Sequence, residues 1–477
     1  MNSPLIGIDD LSIYIPKLYL PLAELAVQRD IEYGKLNKGL GLTHMAIPDC
    51  NEDAASMAAN AVLDLVKKND LKPEDLGRIY LGTESALDGA KPTATYILDM
   101  IQAYYEPTYG PNSLEHCDVL DMTFACIGAI DAMLTTVDWV KANPKRIGIV
   151  VSSDVAKYDL KSTGEYTQGA GSIAMLIKAS PRLLSISDEV GVSTGPAHDF
   201  FKPKRTVKKQ TFANLYSDSL GICKEKIIEL LNTLEPDDSN LTLHKDTPVF
   251  DGPFSNDCYK SRVESALNQF NKLSKTDLNN RKSDKWERYI YHLPYAFHAK
   301  RISTDIAKAY FQAKGEWDQI LNELGMKETD EGFTKAFAKS TQYRAFVQEK
   351  IEKSQRISGL IGNMYSCSIF LALISTLHFD CKENADLNGK TIGFLAYGSG
   401  AKSKVFEGTV QAEWSKIMEQ LNLEQLIESR VAVSYEEYET IHKGECTVPL
   451  SNSGGFILDS VNDEPGNQYG ARTYKLM

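Results

Sequence analysis

Apolar and polar positions along this chain fall into two alternating periods, and their order predicts a layered α/β protein. Leu5 to Ile15 has the β-branched and aliphatic content of a first strand, and a helix follows around Leu22 to Gln28. Asn51-Glu52-Asp53 opens a strong helix that runs through Lys68. Its acidic residues lie in the first turn and Lys67-Lys68 in the last, as the helix dipole favours. Arg78 to Thr83 reads as a short apolar strand. Leu114 to Leu120 leads through another strand into a helix from Cys126 to Lys141. Arg146 to Ser152 and Ser172 to Lys178 are β-rich runs separated by a glycine-rich loop. Strands and helices alternating in this way stack as α/β layers.

After about residue 180 the texture changes. Residues 202 to 245 and 312 to 356 are rich in charge and read as helical excursions on the surface. Regular patterning returns with a helix from Asn363 to Leu377, a strand from Thr391 to Tyr397 and the Gly398-Ser399-Gly400 turn. The chain thus divides into a first α/β half, 1–180, and a second, 181–477, enlarged by insertions near 205–245 and 312–345.

Composition narrows the function classes. A chain of 477 residues, 43% hydrophobic and 24% charged, can bury a large core. A net charge of -12 disfavours broad nucleic-acid binding, which needs a basic face to release counterions. The opening residues show no cationic segment followed by a long apolar run, and the apolar stretch Ser366 to Leu377 is too short to span a bilayer. A cytoplasmic protein without a membrane segment is the expectation. Eight cysteines without a Cys-x-x-Cys pair fit free thiols in a reducing compartment.

Three local patterns carry chemistry. In Asp121-Met-Thr-Phe-Ala-Cys126-Ile-Gly-Ala-Ile an apolar strand exit meets a cysteine, then a glycine, then an amphipathic helix. A cysteine at a helix start gains thiolate stabilisation from unpaired amides; a buried core thiol fits the same pattern. In Tyr80-Leu-Gly82-Thr-Glu84 an acidic residue follows a buried strand. It can point into a crevice with a raised pKa and serve as general base, or cap a loop, a role that suits Asp88 better than Glu84. In Tyr291-His292-Leu-Pro294 a histidine follows an aromatic run and is either a proton-handling group or a packed, satisfied side chain. His198 and His298 remain open as pocket lining. Gly169-Ala-Gly171-Ser-Ile-Ala174 formally fits a dinucleotide fingerprint but precedes a strand instead of opening a helix.

An ordered series of segments resembles the hydroxymethylglutaryl-CoA synthases of the thiolase superfamily. It comprises Gly39-Leu-Gly-Leu, Glu52-Asp-Ala-Ala-Ser-Met-Ala-Ala-Asn-Ala61, Gly82-Thr-Glu84, Ala125-Cys126, Asp154-Val-Ala-Lys-Tyr158 and Tyr166-Thr-Gln-Gly-Ala-Gly171. It continues with Asp199-Phe-Phe-Lys-Pro203, Asp251-Gly-Pro-Phe-Ser-Asn-Asp-Cys-Tyr259, His292-Leu-Pro294, Gly362-Asn363-Met-Tyr365-Ser and Tyr397-Gly-Ser399-Gly. The resemblance implies a five-layer αβαβα sandwich of two similar halves, usually dimeric. It implies Cys126 as the acetyl-accepting nucleophile, Glu84 as the base that deprotonates the acetyl methyl group, and His292 as the residue that positions acetoacetyl-CoA. The Cys126 and Ser399 amides would form the oxyanion hole, and Tyr158, Asn363 and Tyr365 the pocket. Acetyl-CoA and acetoacetyl-CoA are then the substrates, in the mevalonate pathway, with no metal or redox cofactor.

There are departures. Family members generally have an aromatic residue and two glycines after the nucleophile, where this chain has Ile127-Gly128-Ala129. The family's CoA-phosphate lysine after Pro294 has no clear match; Ala296-Phe-His-Ala intervenes before Lys300-Arg301, and Lys300 is the candidate. Lys202, Lys204, Arg205, Lys208 and Lys209 form a second candidate cationic rim. Branching synthases that use carrier-protein-bound ketoacyl chains, and a non-catalytic scaffold of the same fold, are the competing readings.

Overall fold

Alternation along the strands of the first half sorts their side chains onto two faces, and each face meets its own helices. The computed structural model describes residues 4–234, 239–274, 281–452, 454–464 and 466–477. Strands β1 (Ile6–Tyr14), β2 (Leu76–Gly82), β3 (Asp118–Met122), β4 (Ile147–Ala156) and β5 (Gly169–Ala179) lie in the order β1-β5-β4-β2-β3. β2 runs parallel to both its neighbours, and β5 antiparallel to β1 and β4. Ile79 and Leu81 of β2 and Ile149 and Val151 of β4 pack with helices α1 (Ala54–Lys68) and α2 (Ala94–Tyr109). The intervening residues Tyr80 and Val150 join the core of α3 (Gly128–Ala142), as a period of two requires.

The second half repeats the theme. Strands β6 (Leu184–Ile186), β7 (Gly191–Thr194), β8 (Arg288–Tyr291), β9 (Thr391–Gly398) and β10 (Lys402–Val410) form a second arm. In it β8 is parallel to β9, while β10 is antiparallel to β9, β7 and β6. Because β6 also pairs with β1, the two arms join into one ten-stranded sheet. Helix α4 (Gly252–Leu273) packs on β7, β9 and β10, and α5 (Ser368–Lys382) on β8. One apolar core runs from α3 through both arms to α4 and α5. The layering is the thiolase-like αβαβα sandwich expected from the sequence.

Boundaries moved for local reasons. The helix expected from Asn51 begins at Ala54, because Asp53 is its N-cap and accepts from Ala55 N at 3.0 Å and Ser56 N at 2.9 Å while Ser56 Oγ accepts from Asp53 N. The run from Leu114 turns first, and its strand starts only at Asp118. The helix expected from Asn363 begins as a 3-10 turn, Tyr365–Cys367, before α5. The first insertion is not wholly helical: a ribbon pairs Arg205–Lys208 with Asn240–Leu243 and brackets helices Lys209–Leu220 and Lys224–Leu234. The second is helical and largely exposed, as expected, but it also has a buried face. Trp317, Phe333, Phe337, Tyr343 and Phe346 are buried together, an aromatic face hidden in a charge-rich sequence. Among the described residues no helix is long and apolar enough to cross a membrane, and all eight cysteines are free thiols.

Candidate active site

Four strands deliver chemistry at their carboxyl ends, where open α/β sheets form crevices. Glu84 follows β2, Cys126 follows its parallel neighbour β3, His292 follows β8, and Ser399 follows its parallel neighbour β9. Each half therefore contributes one adjacent pair. Close backbone contact holds the first pair: a Cβ on Gly82 would lie 2.2 Å from Ala129 N, so only glycine lets the end of β2 touch the start of α3. The second pair is brought up to the first in the same way, since a Cβ on Gly398 would meet Phe124 O and Ile127 Cγ2 at 2.7 Å. Ile127 is thus core packing that seats the Ser399 turn against the Cys126 loop, and it does not line the cavity described below.

Cys126 does not sit in the helix as expected. Helix α3 begins two residues later, and Ala125 holds a left-handed φ of 40°, a conformation that costs a non-glycine residue about 1–2 kcal/mol. The thiol is buried, and its Sγ donates to Glu84 Oε1 at 2.9 Å. Burial, with the neighbouring Glu84 carboxylate, pushes the thiol well above its ordinary range. The resting group is accordingly a thiol, and the expected thiolate stabilisation by a helix start is outweighed. Glu84 shows the complementary effect, as burial pushes its carboxyl up to about 7, the range of a working general base. Buried Asp154 fixes the base loop: its Oδ1 accepts from Thr83 Oγ1 at 2.8 Å and Glu84 N at 2.9 Å, and its Oδ2 from Ser366 N at 3.0 Å.

Cys126 and His292 line one cavity of about 390 Å³ with Tyr158, Asn363, Tyr365 and Ser399, whereas Lys300, His198 and Glu84 do not line it. His292 is buried, its Nδ1 has no hydrogen-bond partner among the described residues, and burial lowers its pKa to about 3, so the imidazole is neutral. Its backbone carbonyl accepts from Tyr259 Oη at 2.7 Å. Asn363 Oδ1 accepts from Tyr365 N at 2.8 Å and Ser368 Oγ at 3.0 Å, which orients the Tyr365 turn. Tyr158, Tyr365, Phe200 and Phe250 enclose the thiol in an aromatic wall. The roles of Phe200, Phe250, Tyr259 and Tyr397 went unread in the sequence, although Phe200, Tyr259 and Tyr397 lie in segments of the ordered series and Phe250 directly precedes one. His298 also lines the cavity; His198 instead meets the Phe201 ring edge-on.

The cationic runs divide on folding. Lys300 Nζ lies 3.0 Å from the centroid of the Phe297 ring and does not line the cavity, whereas Arg301 does. Lys202 and Lys204 line a second cavity of about 790 Å³ that reaches Glu84 and is bordered by Thr242 and His244 of the first insertion. Buried Lys209 donates to Asn232 at 2.8 Å, so the run is not a continuous rim. Asp88 accepts from Ala90 N and Lys91 N, both at 2.7 Å, and is a loop cap.

The chain is 28% identical over 453 residues to a hydroxymethylglutaryl-CoA synthase of Haloferax volcanii, covering 92% of this chain and 91% of that one. Its fold matches MvaS in complex with 3-hydroxy-3-methylglutaryl coenzyme A at a TM-score of 0.77 and 24% identity, with both chains covered in full. It also matches the curacin biosynthetic pathway HMG synthase at 0.70 and 18% identity, over 99% of this chain and 100% of that one. The family models for the N-terminal and C-terminal parts of hydroxymethylglutaryl-coenzyme A synthase match residues 3–181 and 239–451, and the chain belongs to that family of acyl-condensing enzymes.

Proposed function

We propose that this enzyme condenses acetyl-CoA with acetoacetyl-CoA and water to give hydroxymethylglutaryl-CoA and free CoA, as a homodimer in the cytoplasmic mevalonate pathway. The observation that carries this reading is the contact of a raised-pKa carboxylate with a buried thiol in a cavity shared with a neutral histidine. The Cys126 sulfur attacks the acetyl thioester; a new S–C bond forms, the bond to CoA sulfur breaks, and CoA leaves as the thiol with the proton from Cys126. Glu84 then removes a proton from the acetyl methyl group, and the enolate carbon attacks the ketone of acetoacetyl-CoA. The resulting alkoxide takes up a proton. Water cleaves the Cys126 thioester, releasing the product carboxylate and restoring the thiol.

The neutral imidazole of His292 suits the acceptor, because it can donate one hydrogen bond to a carbonyl without adding charge to the cavity. The amides of Cys126 and Ser399, on loops in mutual contact, would receive the enolate oxygen. Arg301, at the same cavity, is the cation we assign to the CoA phosphates in place of Lys300. This chemistry uses side chains and thioesters alone.

The test supplies acetyl-CoA with either acetoacetyl-CoA or an acetoacetylated carrier protein and follows product by mass. Turnover with the free CoA ester is expected. Turnover with the carrier protein alone would move the enzyme to the branching synthases, and acetylation of Cys126 without condensation on either acceptor would refute the proposed acceptor class.

A further inference from the structure

Lys202 is the cation that touches the segment carrying the base. Its Nζ donates to the Glu84 backbone carbonyl at 3.2 Å, lies 4.9 Å from the centroid of the Tyr365 ring, and lines the same cavity as Glu84. On the opposite side Glu84 N donates to Asp154, whose carboxylate is fully buried. Two carboxylates and a thiol thus crowd one low-dielectric site, and a second negative charge there is costly unless a positive charge compensates it. Tyr158 and Tyr365, which also face Glu84, are held neutral by burial.

The other charged groups around the larger cavity offset one another. Lys157, Lys204 and Arg472 stand against Glu52, Asp53 and Asp88, with Arg472 bridged to Asp53 at 3.2 Å. His244 lies 3.4 Å from Asp246. Lys202 differs from all of these in reaching the Glu84 peptide itself, and an ammonium on an aromatic face is held in place as well as attracted.

Taking Glu84 as the base proposed above, we infer that Lys202 is its positioning residue. Its ammonium fixes the Glu84 loop through the carbonyl and supplies the positive charge that lets a carboxylate exist beside Asp154. Lys202 also opposes the upward pull of burial on Glu84, in accord with this geometry. The role differs from that of a CoA-binding rim, which is what the basic run suggested in the sequence.

The experiment follows the rate of Cys126 alkylation by iodoacetamide against pH, without substrate, and in parallel the pH dependence of condensation by pre-acetylated enzyme. Glu84 touches the sulfur, so its titration registers in both. Lys202→Met is expected to move the inflection and the acidic limb upward by about one pH unit. Condensation would then be slowed roughly tenfold at pH values below the limb and recover at high pH. Lys202→Arg should restore the limb. Lys202→Gln keeps a donor for the Glu84 carbonyl without the charge, which guards against a folding defect, and should be shifted like Lys202→Met. An unmoved inflection in Lys202→Gln, or a loss that is equal at every pH, overturns the inference. If no variant makes hydroxymethylglutaryl-CoA yet the alkylation inflection moves, the proposed reaction fails and the role of Lys202 stands.

Discussion

Glu84 Oε1 accepts a hydrogen bond from Cys126 Sγ at 2.9 Å across 42 residues of sequence. The contact joins the two halves of a reaction, because the group that holds the acyl chain and the group that deprotonates it must address the same two-carbon unit. It also fixes the order of ionisation: the carboxylate is pushed up to about 7 and the thiol far higher, so near neutral pH the pair carries its negative charge on Glu84.

Cys126→Ala is expected to abolish covalent acetylation while leaving the fold intact. Intact-protein mass after mixing with acetyl-CoA should show one added acetyl group in the parent enzyme and none in the variant. Peptide mapping that finds the label on another cysteine would exclude Cys126 as the nucleophile.

Glu84→Gln should separate the two steps. The carboxylate raises the thiol pKa, so its loss leaves acetylation in place and speeds alkylation of Cys126 at neutral pH. Condensation needs a base and should fall about 10²- to 10⁴-fold. Single-turnover measurements of each step check this, and a variant that no longer acetylates would assign Glu84 to the first step instead.

The pH profile of condensation follows from the same pair. The base must be deprotonated, so the rate should fall about tenfold per unit as pH drops below about 7, the position to which burial lifts Glu84. His292, lowered to about 3, stays neutral throughout and should add no limb of its own in the neutral range. His292→Ala should therefore weaken acceptor binding by about tenfold, the scale of one hydrogen bond, without moving the limb. Unchanged acceptor affinity in this variant would remove His292 from the acceptor site.

Gly82→Ala tests the backbone contact behind the site. Its Cβ would overlap Ala129 N, so β2 and α3 must separate, which should cost about 1–3 kcal/mol of stability and carry Glu84 away from Cys126. Thermal unfolding and the condensation rate should fall together. A variant as stable and active as the parent would show that the junction yields easily.

Much of this was legible in one dimension. The strand before Glu84, the strand and helix around Cys126 and the aromatic strand before His292 follow from periodicity, because burial on a sheet or helix face imposes a period on neighbouring residues. The ordered series of segments, taken as a family resemblance, then brought together candidates that are up to 315 positions apart, from Glu84 to Ser399. The aromatic face of the second insertion was not legible, since its surrounding charges dominate local composition while its rings meet only after several short helices fold together.

The sequence by itself determined the alternating elements, the residue types at the strand ends and the membership of the ordered series, all of which depend on local spacing. Tertiary structure alone decided the electrostatic and spatial roles. Proximity to Glu84 and burial, which no local pattern records, make Cys126 a resting thiol in place of the expected thiolate. Lys300 turns onto Phe297 while Arg301 lines the cavity, although the two are adjacent in sequence. Lys202 leaves its basic run to reach the base, because charge acts through distances in space and only the folded chain sets them.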